Sequence, residues 1–359
     1  MPVETVRLRT GAEMPLVGLG TAHLYREKGR AAVRAALDAG YRHVDCAKVY
    51  GNEQLVGDEL RLAMAGEPAP GAIPDAPPRV PIPRAELFVT SKLWNDDHAP
   101  EDVAAACRRS LRDLGLDYLD LYLVHWPLAW RKGTVFCPAD VTILDTWRAM
   151  EKLVDEGLVR AIGVSNFDEA QLRALARDAR IPPAVNQVEL HPLCQQPELV
   201  AACEAMGVVL TAWSPLGKGA ASLMRHPTLL DIARRRGGER EGERNGEGEG
   251  DVEGRSLASA ADVALRWNTQ RGVVVIPKST SPAHLAGNLR AADGSWSLTE
   301  EEMGAVAAMD EGRRRVPDLV GVWPETASSA AKAAGKVLGW IARGVFAVVP
   351  NRIDMKAPQ

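Results

Sequence analysis

Four side chains in this sequence could together move a proton onto or off a carbonyl group. His43-Val44-Asp45 closes one short apolar run and is followed by Tyr50; Val89-Thr90-Ser91-Lys92 closes the next; Leu123-Val124-His125-Trp126 closes a third. A phenol with a pKa near 10 is a poor acid at neutral pH. An ammonium beside it favours the phenolate, and a carboxylate paired with that ammonium keeps it charged and in place. Tyr50, Lys92 and Asp45 therefore have the makings of a tuned proton donor. His125, if neutral, could orient a carbonyl oxygen by hydrogen bonding without competing as an acid. Taken singly, each has a plain structural explanation: a loop ion pair for Asp45 or Lys92, a satisfied strand-end histidine, a tyrosine capping a loop. All four at the ends of consecutive apolar runs favour the chemical explanation.

The elements that must position them can be read from periodicity. Eight short apolar runs fit strands: Leu16–Leu19, His43–Cys46, Leu87–Ser91, Leu119–His125, Arg160–Ser165, Ala184–Glu189, Val208–Trp213 and Val273–Pro277. Between them, helical spacing predicts helices near Glu27–Ala39, Glu53–Met64, Pro100–Leu114, Ile143–Glu156, Asp168–Asp178, Pro197–Met206, Ser256–Gln270 and Pro282–Ala292. Continuous apolar strands suit parallel strands buried on both faces. Eight strand–helix units match a closed (β/α)8 TIM barrel, an α/β fold whose active site lies at the carboxyl ends of its strands. Val6–Arg9 and Ala12–Met14, around Thr10-Gly11, predict a hairpin across the barrel bottom.

Three segments exceed a minimal barrel. Residues 66–83 hold seven prolines in eighteen positions, as in an extended surface excursion. Residues 237–254 are rich in Gly, Glu and Arg and predict a loop without core. Residues 326–359 form a C-terminal extension in which Leu338, Ile341, Val345 and Val348 recur at helical spacing beside Lys332, Lys336 and Arg343. Packing on the barrel explains that pattern better than a membrane surface, because three cations are few. The expected organisation is one barrel over 1–325 with two insertions, and a tail over 326–359 that could contact a partner.

Composition narrows the classes. The 359 residues are 46% hydrophobic and 25% charged, with a net charge of −4, so neither wholesale disorder nor a basic nucleic-acid surface is indicated. The five cysteines show no C-x-x-C spacing, and the seven histidines include no H-x-x-x-H pair, so neither a disulfide framework nor a metal site is expected. With no signal-peptide pattern and no transmembrane stretch, the expectation is a cytoplasmic protein acting on a small molecule.

GYRHVDCAKVYGNE (Gly40–Glu53), FVTSKLW (Phe88–Trp94), LYLVHWP (Leu121–Pro127), LDTWRAMEKLVDEGLVRAIGVSNF (Leu144–Phe167), NQVELHP (Asn186–Pro192), WSPLG (Trp213–Gly217) and IPKST (Ile276–Thr280) closely resemble the aldo-keto reductases, over about residues 4–320. The resemblance implies reduction of an aldehyde or ketone to an alcohol, with Tyr50 as general acid, Lys92 and Asp45 tuning it and His125 steering the carbonyl. It implies NADPH lying across the barrel mouth and giving hydride from nicotinamide C4. Ser165, Asn166 and Gln187 then match the nicotinamide carboxamide contacts, and Trp213 the aromatic ring that stacks on the nicotinamide. Thr21 falls in the same cofactor set, Ser214 and Leu216 in the pyrophosphate loop, Lys278 and Ser279 at the 2′-phosphate, and Asn288 at the adenine. Trp126 would wall the substrate pocket beside Tyr50 and His125, and Ala22, where many relatives have Trp, would widen it. His284 stands where the family often has Arg, and Gly287 where it often has Glu, which leaves NADH open as an alternative cofactor beside NADPH. A sugar or sugar phosphate is one compatible substrate class, with Arg131 or Lys132 as the cation that would attract it; a solvated loop accounts for those two residues more simply. The family's usual state is monomeric. Two alternatives remain: a non-catalytic NADP(H)-binding barrel acting as a redox sensor or subunit, and a barrel enzyme using Lys92 as a Schiff-base nucleophile.

Overall fold

The computed structural model describes residues 3–68, 79–134, 137, 139–242 and 259–312. A two-stranded antiparallel hairpin, β1 (Thr5–Arg7) and β2 (Glu13–Pro15), precedes eight parallel strands: β3 (Leu19–Gly20), β4 (His43–Asp45), β5 (Phe88–Leu93), β6 (Leu121–Val124), β7 (Ile162–Ser165), β8 (Val185–Glu189), β9 (Val209–Trp213) and β10 (Val274–Val275). Each strand pairs with the next in sequence, from β3 to β10. A parallel bridge between Val17 and Val275 then joins the last strand to the first. Gly18 N donates to Val275 O and Val275 N to Leu16 O, at 2.9 and 2.8 Å. The fold is therefore a closed (β/α)8 barrel.

Strands β3 to β8 are buried along their full length, as parallel strands covered by helices must be. The helices are α1 (Arg26–Ala39), α2 (Glu53–Ala65), α3 (Pro100–Leu114), α4 (Ile143–Asp155), α5 (Glu169–Asp178), α6 (Pro197–Ala205), α7 (Ala221–Met224), α8 (Pro227–Gly242), α9 (Ala260–Thr269), α10 (Pro282–Leu289) and α11 (Glu300–Ala307). All eight predicted strands and all eight predicted helices are present, with ends shifted by a few residues. Local chemistry sets several starts: Asp168 with Gln171, Ser259 with Asp262 and Thr299 with Glu302 each form a reciprocal capping box.

The hairpin closes the bottom of the barrel. Met14 and Leu8 are buried in the core, and Arg9 at its tip donates to Gly207 O, in the turn leading into β9. Helices α7, α8 and α11 were not anticipated. The helix α8 runs to Gly242, six residues into the stretch read as loop, because Arg and Glu favour helix as readily as they favour solvent. For α11 the Thr-Glu-Glu-Glu start was a readable capping signal. The tail of 326–359, the residues of the C-terminal loop beyond Gly312 and most of both insertions lie outside the described residues.

Contact between α2 and α3 depends on Gly57. A Cβ placed there would lie 2.5 Å from Asp113 O and 2.6 Å from Leu114 backbone atoms. Gly57→Ala should push the two helices apart and lower the unfolding free energy by about 1–3 kcal/mol, the usual cost of overpacking. An unchanged denaturant midpoint would show that α2 shifts without penalty.

Candidate active site

At the carboxyl ends of β4, β5 and β6 the barrel brings its titratable residues together. Asp45 is the last residue of β4 and is paired in register with Thr90 of β5. Lys92, two residues on, points to the same face by strand alternation. Its Nζ donates to Asp45 Oδ1 at 2.5 Å and to Cys46 O at 2.8 Å, and both charged side chains are buried. Asp45 Oδ2 accepts from Gln187 Nε2 of β8 at 2.8 Å, across the barrel. Burial alone would lower the Lys92 pKa, but Asp45 and Tyr50 outweigh it and hold the ammonium above its ordinary value.

Tyr50 sits on a one-turn helix, Lys48–Tyr50, closed by Gly51 in the left-handed region (φ 64°). The Lys92 ammonium lies 5.2 Å from the centre of its ring. Burial pushes the phenol above its ordinary pKa, while the charge and hydrogen bond of Lys92 pull it down. The phenol therefore keeps its proton at neutral pH. His125 packs edge-on against Tyr50, with ring centres 6.0 Å apart, and against Trp94 at 5.1 Å. Burial first, then the positive charge of Lys92, holds His125 well below the ordinary histidine pKa, so its ring is neutral.

From this cluster a groove of about 1370 Å³ runs across the barrel mouth. Thr21, Asp45, Tyr50, His125, Trp126, Ser165, Asn166, Gln187, Trp213, Ser214, Leu216, Lys278, Ser279 and Asn288 all line it. Lys92 lies behind its wall, reached through Tyr50 and Asp45. Thr21 is the least available of the set, since it is buried and its hydroxyl donates to Asp45 O. Ser165, Asn166 and Trp213 form a chain: Trp213 Nε1 donates to Asn166 Oδ1 at 3.0 Å, Asn166 Nδ2 to Ser165 Oγ at 3.0 Å and to His125 O at 2.9 Å, and Ser165 Oγ to Gln187 O at 2.7 Å. The indole is thus fixed at the groove wall.

The groove changes character along its length. Near Tyr50 it is walled by Trp94, Trp126, Val49 and Ala22. At the far end it carries Lys218, Lys278, Arg234 and Arg290. His23, which also lines the groove, has its pKa lowered by burial and then by the charges of Lys218 and Lys278, so both ammonium groups bear on the groove. Such an end suits a phosphorylated ligand.

Sequence reasoning missed Trp94, Lys218, Arg234 and Arg290. Arg290 was hidden because the resemblance draws attention to position 284. A Cβ at Gly287 would lie 3.4 Å from the Arg290 guanidinium, which donates to Asp262 Oδ1 at 3.0 Å and Oδ2 at 3.2 Å. Lys132, one candidate for attracting an acidic substrate, is bound instead to Asp97 and, at 3.2 Å, to Asp102. Among the described residues no group of three or more His, Cys, Asp or Glu is placed to hold a metal, and no helix is long and apolar enough to cross a membrane.

A closed barrel with a Tyr–Lys–Asp–His cluster at one end of a long mouth groove defines a class of carbonyl-reducing enzymes, and comparison with known proteins agrees. The model of the aldo/keto reductase family matches residues 16–311. Aldo-keto reductase family 1 member A1 of Pongo abelii and of Homo sapiens are each 40% identical over 339 residues, covering 90% of this chain and 94% of theirs. The aldose reductase of Schistosoma japonicum superposes with a TM-score of 0.74 at 33% identity, over 90% of this chain and 99% of its own. A Bombyx mori aldo-keto reductase solved in complex with NADP gives a TM-score of 0.72 at 33% identity, over 88% and 95%. This chain belongs to the aldo/keto reductase family and is an oxidoreductase that reduces carbonyl groups.

Three buried histidines in and below the site make stability depend on pH. His43 and His98 have pKa values lowered by burial to about 4, and burial likewise holds His125 well below the ordinary histidine value. Unfolded, each would titrate near 6.5, so below that pH the unfolded chain binds more protons. Their contribution is complete above pH 6.5 and is lost on acidification, at up to about 1.4 kcal/mol per pH unit for each histidine. Denaturant unfolding at pH 7, 6 and 5 should show this fall, and His98→Gln should make it shallower. An unchanged slope in that variant would mean that His98 is protonated in the folded protein.

Proposed function

We propose that the protein reduces an aldehyde or ketone to its alcohol with NADPH, the proton coming from Tyr50. The observation that carries this reading is the Lys92 ammonium, bound to Asp45 at 2.5 Å and 5.2 Å from the centre of the Tyr50 ring that lines the groove. The residues present fit the cofactor. An aromatic face, Trp213, stands beside Ser165, Asn166 and Gln187, whose amides and hydroxyl can match a carboxamide's donor and acceptor. Lys278, Ser279 and Lys218 offer cations and a hydroxyl to phosphates, and Asn288 an amide to the adenine. Reduced nicotinamide, when bound, supplies the hydride that the carbonyl carbon takes up.

The protein's own part is to hold the carbonyl and compensate its charge. Trp126 and Trp94 exclude water from the carbonyl end. Neutral His125 donates a hydrogen bond to the carbonyl oxygen. As that oxygen gains negative charge, Tyr50 transfers its phenolic proton, and Lys92 stabilises the phenolate left behind. Asp45 and Gln187 hold the ammonium on station. Lys92 itself is unsuited to Schiff-base chemistry, because its ammonium is buried, raised in pKa and already bound to two oxygens.

A simple aldehyde and a sugar panel, followed by loss of NADPH absorbance at 340 nm, test the assignment. Tyr50→Phe should lower kcat by at least about 10³-fold, since general-acid transfer and charge stabilisation are lost together. Its NADPH Kd, read by quenching of tryptophan fluorescence, should stay within twofold. Full turnover in that variant would refute Tyr50 as the donor; tight NADPH binding with no turnover in the wild type would favour a non-catalytic barrel. Lys278→Met should weaken NADPH at least tenfold while leaving NADH little changed, because the ammonium is assigned to the 2′-phosphate. Equal losses for both cofactors would move that contact elsewhere.

A further inference from the structure

The segment that follows β5 contains a buried carboxylate with three cationic partners, which the proton-transfer chemistry does not use. Asp97 is fully buried. Its Oδ2 accepts from Lys48 Nζ at 2.6 Å and from Arg109 Nη2 at 2.7 Å, and its Oδ1 accepts from Lys132 Nζ. Asp96 binds Lys48 at 2.9 Å, and Asp102 binds Lys132 at 3.2 Å. Burial alone would raise the Asp97 pKa, but Lys132, Lys48 and Arg109 together hold it below the ordinary carboxylate range, so it stays ionised.

Where these cations come from matters more than their number. Lys48 opens the single helical turn that ends at Tyr50. Lys132 lies on the segment after β6, which carries Trp126 and Trp130 beyond His125. Arg109 belongs to α3 and fixes the carboxylate to the barrel's outer layer. The same short segment also touches the substrate-wall side by other means. Trp94 packs on His125 at 5.1 Å and on Trp130 at 5.6 Å, and Trp130 N donates to Asn95 O at 2.8 Å.

We propose that Asp97 is a positioning residue that pins the Tyr50 turn, through Lys48, to the substrate-wall segment, through Lys132, so that proton donor and wall are held in one geometry. The proposal rests on Tyr50 being the proton donor. Proton transfer needs heavy atoms within about 3 Å, so a displacement of an ångström in the Tyr50 turn costs rate without touching the cofactor end of the groove.

The test uses the full-length protein with NADPH and benzaldehyde. Lys48→Met removes one arm of the clamp at a partly exposed site and should lower kcat about tenfold. NADPH Kd should stay within twofold, and Lys48→Arg should restore at least a third of the rate. Slower chemistry should also raise the primary isotope effect with 4-deuterated NADPH, which mere loss of folded protein cannot do. Asp97→Asn releases both arms and should additionally raise the aldehyde KM at least threefold; if it fails to fold, the Lys48 variants decide alone. Lys48→Met with kcat within twofold of wild type and an unchanged isotope effect, beside an inactive Tyr50→Phe, overturns the clamp. An active Tyr50→Phe instead removes the proton-donor reading beneath it.

Discussion

The site is organised around one buried ion pair, Lys92 with Asp45. Taking two charges out of water is costly, and their attraction offsets that cost only when the remaining hydrogen-bonding capacity is also met. Here it is met: Asp45 gives its second oxygen to Gln187, and Lys92 gives a further proton to Cys46 O. These partners come from β4, β5 and β8, which are not all neighbours in the sheet. Only a closed barrel brings β8 across to β4 inside its mouth. The bridge between Val17 and Val275, and the hairpin that covers the bottom, are therefore conditions of the chemistry as much as of the fold.

That pair also sets the protonation of its neighbours. A positive charge held at the floor of the groove adds to the burial that keeps His125 neutral and opposes the burial that raises the Tyr50 phenol. Both rings are thus neutral, and the charge at the floor of the groove is confined to the Lys92–Asp45 pair. Burial alone would keep the phenol too weak an acid, and the ammonium in open solvent would be screened. The low-dielectric setting makes the single charge of Lys92 effective on two side chains at once.

Most of this was legible in the chain. The strands declared themselves as short apolar runs, and the polar residues at their ends, Asp45, Lys92 and His125, stood out because such positions are costly to fill with charge unless it is used. Tyr50, five residues past Asp45, needed the fold to bring it back, yet spacing sufficed to suspect it. What escaped had physical causes. The α8 helix reaches into a Glu/Arg-rich stretch with no apolar period to announce its end. Trp94 closed a matched stretch without any role attached to it. Asp97 and Lys132 are charges of a kind usually found in water, and nothing local distinguishes them from solvated ones. Their pairing joins residues 35 positions apart and becomes visible only in three dimensions.

The cofactor end illustrates the same limit more sharply. Position by position, His284 and Gly287 read as losses: no guanidinium, no carboxylate. In space the two substitutions are not independent of their surroundings. The Arg290 guanidinium lies beside Gly287, 3.4 Å from where a Cβ would stand, and is held by the buried carboxylate of Asp262. A cation and a carboxylate thus stand at this end of the groove, supplied by α9 and the turn after α10 and not by positions 284 and 287. A guanidinium is defined by where its fork lies and what steadies it, not by which residue number bears it. Charge around a groove is a property of the volume, and a comparison of aligned positions undercounts it wherever a cation reaches the same space from another position.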